Sequence, residues 1–175
     1  MEVYIDGACK NNGKPLAKAS YGIFWEPNNI KNINGPVPES YKQTNNTGEL
    51  YAAVKGLQQI HENQFIIKTD SEYLVRGITN DIVYWKSNNW KLKSSGNDVK
   101  NKELWSEIDN LLSNIKVTWA HVARDSEIGQ IEADILAKLA LNIKTSGNTV
   151  QANNNSIVNV CNNIEWTDDE RKLYR

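Results

Sequence analysis

The chain has 175 residues, of which 39% are hydrophobic and 23% are charged, which predicts one globular domain with a short appendage. Its two cysteines, Cys9 and Cys161, lie in neither a CxxC nor a CxxH pattern, which argues against a disulfide framework and against a zinc site. A net charge of −1 excludes a protein that is basic over its whole surface, so any binding to a polyanion must depend on a local patch.

Three strands are predicted at the start of the chain, at residues 3–8, 20–25 and 30–37. Turns rich in Asn, Gly and Pro separate these apolar runs and indicate an antiparallel meander. The hydrophobic period then changes to that of an amphipathic helix. Its apolar face consists of Leu50, Ala53, Val54, Leu57 and Ile60. Thr44 or Asn45 can cap the start of this helix.

The rest of the chain alternates between strands and helices. Strands are predicted at residues 65–67 and 116–121, and helices at residues 72–78, 104–112 and 131–139. This order of elements predicts an α/β fold, a five-stranded mixed sheet of three antiparallel strands plus two parallel ones, flanked by helices. The long helix is then a crossover between the first and fourth strands, which places Asp6 and Asp70 on adjacent strands.

Four acidic residues carry the functional prediction. Taken singly, each has an ordinary interpretation: Asp6 as a turn residue, Asp70 as a helix N-cap, and Glu49 and Asp134 as helix acids. Taken together, they come from two strands and two helices that pack on one sheet. Clustered carboxylates raise one another's pKa and need cations to stay ionised, and ligands that are all oxygen favour Mg²⁺ or Mn²⁺. Two such ions ~4 Å apart can activate a water and stabilise the leaving oxygen of a phosphodiester.

Five short stretches around these acids form a recognisable series. In chain order they read YIDGA (residues 4–8), TNNTGEL (44–50), TDS (69–71), WKSNNW (85–90) and ADILA (133–137). In this order and spacing, the chain resembles type 1 ribonucleases H over roughly residues 1–143. The resemblance implies a ribonuclease H-like fold. It also implies an endonuclease that hydrolyses the RNA strand of RNA–DNA hybrids and leaves 5′-phosphate and 3′-hydroxyl ends.

The resemblance also assigns roles to individual residues. It implies that Asp6, Glu49, Asp70 and Asp134 are catalytic and bind metal, with two Mg²⁺ ions expected and Mn²⁺ as an alternative. Substrate contacts are implied for Asn12, Asn45 and Asn46 (RNA 2′-hydroxyls), for Lys42, Thr44 and Asn101 (a DNA phosphate), and for Tyr73 and Trp85 (the DNA channel). The segment from Trp85 to Lys102, which includes Lys86 and Trp90, resembles the family's basic protrusion.

The loop before Asp134 departs from the family pattern. Asp125 stands where we would place the family's mobile histidine, which assists turnover, and His121 is interpreted as a structural residue at the end of a strand. We therefore expect Asp125 to slow turnover or to alter metal dependence. An unchanged rate in Asp125→His would count against that hypothesis.

The last part of the chain changes composition. Residues 144–156 are rich in Asn, Ser, Thr and Gly and are predicted to be a linker. Residues 157–175 are predicted to form a short tail. This tail either docks on the domain or on a protein partner, or is a flexible extension. No signal peptide, transit peptide or membrane span is predicted, so we expect an intracellular monomer, cytoplasmic or nuclear. Two alternatives stay open: a catalytically weak module that binds hybrid, and another nuclease of the same fold, such as a junction resolvase.

Overall fold

The computed structural model describes residues 1–61 and 64–143, and these form an α/β structure around one mixed sheet. The strands are β1 (Glu2–Lys10), β2 (Lys18–Phe24), β3 (Ile33–Pro36), β4 (Phe65–Thr69) and β5 (Val117–His121). They lie in the order β3-β2-β1-β4-β5. The first three strands pair antiparallel, whereas β4 runs parallel to β1 and β5 runs parallel to β4. The predicted fold class is confirmed.

Within the described part of the chain, five α-helices flank the sheet. They are α1 (Asn45–Gln58), α2 (Glu72–Arg76), α3 (Ile82–Ser87), α4 (Lys102–Leu112) and α5 (Ile128–Leu139), and a π-helical turn at Gly77–Asp81 joins α2 to α3. Thr44 caps α1 as predicted, because its hydroxyl oxygen accepts a hydrogen bond from the Thr47 N–H at 3.2 Å. The helix therefore begins where the local sequence signal indicates.

The sheet separates two apolar layers. On one side, α1 and α4 bury the main core, which includes Leu50, Leu57 and the fully buried Trp105. On the other side, α5 lies across β1 and β2, where Ala133 and Leu136 join Tyr4 and Phe24 in a second cluster. A helix on each face thus brings acidic residues to the same region of the sheet from both sides.

Two segments differ from the sequence prediction. The third strand begins only at Ile33, because Asn29 and Asn32 form side-chain hydrogen bonds that close a turn ahead of it. The π-helical turn and α3 were not predicted, although Ile78, Ile82 and Trp85 have the spacing of one helical face. Tertiary packing stabilises α3, with the Trp85 ring 5.2 Å from that of Trp105. The predicted linker and tail, residues 144–175, lie outside the described residues.

None of the helices within residues 1–61 and 64–143 has the length and apolar character needed to cross a membrane.

Candidate active site

Three of the four predicted acids come together at one side of the sheet. Asp6 lies on β1, Asp70 directly follows the parallel neighbour β4, and Glu49 lies in the first half of α1. One carboxylate oxygen from each of the three lies within 4.8 Å of one from each of the others. We refer to Asp6, Glu49 and Asp70 as the carboxylate cluster. The crossover predicted from sequence places Asp6 and Asp70 side by side in this way.

Glycines allow the helices to approach the sheet closely enough to build this cluster. A Cβ atom on Gly7 would lie 2.2 Å from the Glu49 backbone nitrogen, and one on Gly48 would lie 2.7 Å from the Ser20 carbonyl oxygen. On the opposite face, a Cβ on Gly22 would lie 2.2 Å from the Ala133 carbonyl oxygen. Such distances exclude any side chain larger than hydrogen without movement of the backbone. The contact between β1 and α1 therefore fixes Glu49 beside Asp6.

Asp134 lies at the margin of the cluster. It projects from α5 and pairs with Lys138, whose Nζ lies 2.5 Å from Asp134 Oδ2, one helical turn away. Among the described residues its oxygens do not belong to the mutually close set. Its charge is nevertheless near enough to raise the pKa of Asp6. Asp134 therefore contributes to the electrostatics of the site from a more exposed position.

Burial and mutual repulsion favour the protonated forms of Asp6 and Glu49. Burial raises the pKa of Asp6 to about 7, with further increases from the charges of Asp70 and Asp134, although a hydrogen bond from the Gly7 N–H opposes them. The pKa of Glu49 is raised well above its usual value, by burial first and then by Asp6 and Asp70. Glu49 Oε2 is buried without a hydrogen-bond partner among the described residues. An unpaired buried oxygen in an all-carboxylate cluster fits a hard divalent cation such as Mg²⁺.

Several donors surround the third acid, Asp70. Its side chain is only 5% exposed, and Oδ2 accepts a hydrogen bond from Arg124 Nε at 2.8 Å. Gln130 Nε2, from α5, lies 3.4 Å from Oδ1. The His121 ring approaches the Asp70 backbone carbonyl at 3.2 Å, in keeping with a structural role. Sequence reasoning missed Arg124 and Gln130 because nothing in their local pattern indicates a contact with a residue more than fifty positions away.

The predicted turnover residue lies next to Arg124. Asp125 is exposed and has a positive φ of 57° in the loop between β5 and α5. The loop residue that reaches the cluster is therefore Arg124. The predicted effect of Asp125 on turnover stays a prediction.

A groove of about 910 Å³ brings together most of the predicted substrate contacts. Eight of them line it: Asn12, Lys42, Thr44, Asn45, Asn46, Tyr73, Trp85 and Asn101. Two of these residues, Thr44 and Asn101, are linked through the buried Thr47, whose Oγ1 lies 2.7 Å from Thr44 Oγ1 and 3.5 Å from Asn101 Oδ1. Sequence reasoning missed the groove residues Ser40, Tyr41 and Glu103. Leu92, Val99 and Lys100 also line the groove and lie within the predicted basic protrusion, although they were not singled out as contacts.

Two predicted contacts do not line this groove. Lys86 forms an ion pair with Asp109 on α4, with 2.8 Å between Nζ and Oδ1. Trp90 follows α3 with a φ of 60° and packs partly against the main core. Their predicted contacts with nucleic acid stay predictions.

The raised pKa values of Asp6 and Glu49 predict an unusual pH dependence of stability. Without divalent cations, the free energy of unfolding should decrease as pH rises from about 4 to about 7, the range between the ordinary pKa of a carboxyl group and the raised pKa of Asp6. Asp6 and Glu49 keep their protons in the folded chain over this range but lose them on unfolding, and Glu132, whose pKa burial raises to about 7, adds to the effect. Urea unfolding followed by tryptophan fluorescence measures the slope. Asp6→Asn should reduce it, whereas stability that rises over the same range in the wild type would contradict the prediction.

Comparisons with known proteins agree with this geometry. Residues 1–142 match the family model for RNase H. Ribonuclease H1 of Mus musculus is 37% identical over 140 residues, which cover 78% of this chain and 48% of that protein. Ribonuclease H of Legionella pneumophila (strain Lens) is 38% identical over 142 residues, which cover 80% of this chain and 93% of that protein.

A solved structure shows the same fold. LC9-RNase H1, a type 1 RNase H with the type 2 active-site motif, matches with a TM-score of 0.62 and 20% identity, over 99% of this chain and 83% of that one. The chain spans about half the length of the mouse relative and nearly all of the bacterial one. The family model and the bacterial relative together establish that this chain belongs to the ribonuclease H family.

Proposed function

We propose that this chain is an endonuclease that hydrolyses the RNA strand of RNA–DNA hybrids with the help of divalent cations. The observation that carries the proposal is the carboxylate cluster, in which three acids from β1, α1 and the end of β4 lie within 4.8 Å of one another. Membership of the ribonuclease H family supports the substrate class. Residues 1–143 would form the catalytic unit.

The cluster residues would hold the cations. Asp6, Glu49 and Asp70 supply buried carboxylate oxygens, and Asp134 supplies a more exposed one. Two Mg²⁺ ions, or Mn²⁺ in their place, would activate a water for attack on the phosphodiester and neutralise charge on the leaving oxygen. Cleavage of the bond between phosphorus and the 3′-oxygen would leave 5′-phosphate and 3′-hydroxyl ends. Because Glu49 and Asp6 are shielded from water, their charges act in a medium that screens them weakly.

The groove would read the two strands by different contacts. Asn12, Asn45 and Asn46 would hydrogen-bond to RNA 2′-hydroxyls, groups that DNA lacks. The Asn12 side-chain oxygen already accepts a hydrogen bond from the Asn45 N–H at 3.1 Å, which orients the carboxamide. Lys42, Thr44 and Asn101 would hold a phosphate of the DNA strand, and Tyr73 and Trp85 would line its path. The first turn of α1 thus links substrate recognition to Glu49.

The direct test compares labelled RNA–DNA hybrid, duplex RNA, duplex DNA and branched DNA with Mg²⁺, with Mn²⁺ and with a chelator. We expect cleavage of RNA in the hybrid alone, and only with a divalent cation. Cleavage of branched DNA would favour another nuclease of this fold. Binding of hybrid without cleavage under any condition would favour a binding module.

Lys42 provides a test of the groove. Lys42→Ala should weaken hybrid binding and should reduce the slope of log Kd against log salt by about 0.9, because one phosphate contact is lost. Fluorescence anisotropy in chelator measures this without cleavage. The matched control is Lys116→Ala, an exposed lysine just before β5 that does not line the groove. Equal salt slopes in the two variants would place the DNA strand elsewhere.

A further inference from the structure

An arginine from the loop before α5 forms an ion pair with the carboxylate cluster. The Arg124 side chain is 72% exposed, yet its Nε donates to Asp70 Oδ2, and the Asp70 side chain is 5% exposed. Asp70 raises the pKa of Arg124, and the charges of Asp6 and Asp134 raise it further. The guanidinium therefore interacts with two cluster members, Asp70 and Asp6, and with Asp134, and not with one partner alone.

The loop that carries Arg124 is fixed at both ends. At its start, the Val122 N–H donates to the carbonyl of Thr69, the residue that precedes Asp70, at 3.0 Å. At its end, Glu127 Oε2 accepts hydrogen bonds from Lys68 Nζ and from the Tyr4 hydroxyl, both at 2.7 Å. Tyr4 belongs to β1, which carries Asp6, and Lys68 and Thr69 belong to β4, which Asp70 follows directly. The position of Arg124 beside Asp70 is therefore set by the sheet itself.

Hydrogen bonds within the loop also hold it in a compact turn. The Ser126 hydroxyl and the Ser126 N–H both donate to the carbonyl of Ala123, at 2.6 and 3.2 Å. Behind the loop, Gly129 packs against the Tyr4 ring so closely that a Cβ would lie 2.2 Å from it. Arg124 thus projects from a compact turn and not from a long mobile segment.

Protein donors face both oxygens of Asp70. Arg124 binds Oδ2, and Gln130, which is 2% exposed, approaches Oδ1 with its amide nitrogen at 3.4 Å. A divalent cation uses the same oxygen atoms as ligands. The exposed guanidinium can leave toward solvent, whereas the buried Gln130 cannot. A cation that binds Asp70 therefore competes with Arg124 for Oδ2 and is also repelled by its charge.

We propose that Arg124 is an exchangeable counter-cation of Asp70, which neutralises the carboxylate cluster in the absence of divalent ions and sets the ion concentration at which the site fills. This inference rests on the proposed cation site but not on RNA cleavage. It makes Arg124 a positioning residue for Asp70. It also gives the loop a role in metal dependence that does not require the side chain of Asp125.

Calorimetric titration with Mn²⁺ and Mg²⁺, without nucleic acid, tests the inference. Arg124→Gln should bind the cations about tenfold more tightly, which is about 1.4 kcal/mol, because a competing charge is removed. Its melting temperature in chelator should fall by a few degrees, since Asp70 loses its counter-ion, and the rise on adding Mg²⁺ should exceed that of the wild type. Arg124→Lys, which keeps the charge, should stay within about threefold of wild-type affinity.

The matched control is Arg76→Gln, which removes an arginine of similar exposure that pairs with Asp81 on the surface. Its cation affinity should equal that of the wild type, which separates the local contact from the change in net charge. Unchanged or weaker cation binding in Arg124→Gln would overturn the inference, as would a wild type that binds neither cation. Tighter binding in a chain that cleaves no hybrid would uphold the inference while the proposed function fails.

Discussion

Asp70→Asn is expected to reduce the rate of RNA cleavage by about three orders of magnitude or more, equivalent to about 4 kcal/mol of lost transition-state stabilisation. Asp70 supplies one of three carboxylate oxygens that lie within 4.8 Å of one another, and an amide has the same shape without the charge that a cation needs. The chain should still fold, because the substitution removes a buried charge that opposes the ionisation of Asp6 and Glu49. Single-turnover cleavage of labelled hybrid at saturating enzyme measures the loss.

The control for this substitution is an acid outside the cluster. Asp81, at the end of the π-helical turn, pairs weakly with Arg76, with 3.6 Å between Asp81 Oδ2 and Arg76 Nε. Because this partly exposed carboxylate lies outside the cluster, Asp81→Asn should not change the cleavage rate. The free energy of unfolding of Asp70→Asn in chelator should equal or exceed that of the wild type. Cleavage by Asp70→Asn at more than about one tenth of the wild-type rate would show that this carboxylate is not needed to hold the cations.

Gly7→Ala is expected to lower the free energy of unfolding by about 3 kcal/mol, the upper part of the range for overpacked interiors. The new methyl group would lie 2.2 Å from the Glu49 backbone nitrogen and 2.4 Å from the Gly48 carbonyl carbon, which are rigid neighbours. Relief requires α1 to move away from β1 and so to separate Glu49 from Asp6. Cleavage should therefore fall even where the variant is fully folded. Urea denaturation, together with cleavage assays at low temperature, measures the two effects.

Gly56→Ala is the matched control, because Gly56 lies on α1 and faces β1, the two elements whose contact Gly7→Ala disturbs. A Cβ there would meet only the Ile5 Cγ2 atom at 3.3 Å, a contact that a small shift relieves. Alanine also favours the helix over glycine by up to about 1 kcal/mol, so stability should change little. If Gly7→Ala matched Gly56→Ala in stability and in cleavage, the close approach of α1 to β1 would not be what places Glu49.

The sequence by itself determined most of the main elements and predicted four acids, three of which the structure brings together. Helix α1 could be predicted because its apolar spacing and its Thr44 cap are local signals, and β1 and β4 because their apolar runs are bounded by turn residues. The series of acidic motifs could be identified for the same reason. By contrast, the π-helical turn could not be predicted, because its wider backbone hydrogen bonding has no signature in the apolar spacing, and α3 was missed although Ile78, Ile82 and Trp85 are spaced for one helical face.

Only the tertiary structure decided how the acids behave. The raised pKa values of Asp6 and Glu49 depend on burial and on charges from other elements, which no local pattern encodes. The groove likewise forms from the loop after β1, the loop before α1, helices α1, α2 and α3, and the segment that leads into α4. The contact of Arg124 with Asp70 spans 54 positions and depends on where the sheet anchors the loop. Sequence patterns report the local backbone and the buried faces, whereas long-range packing sets the distances between charges, and those distances control the chemistry of this site.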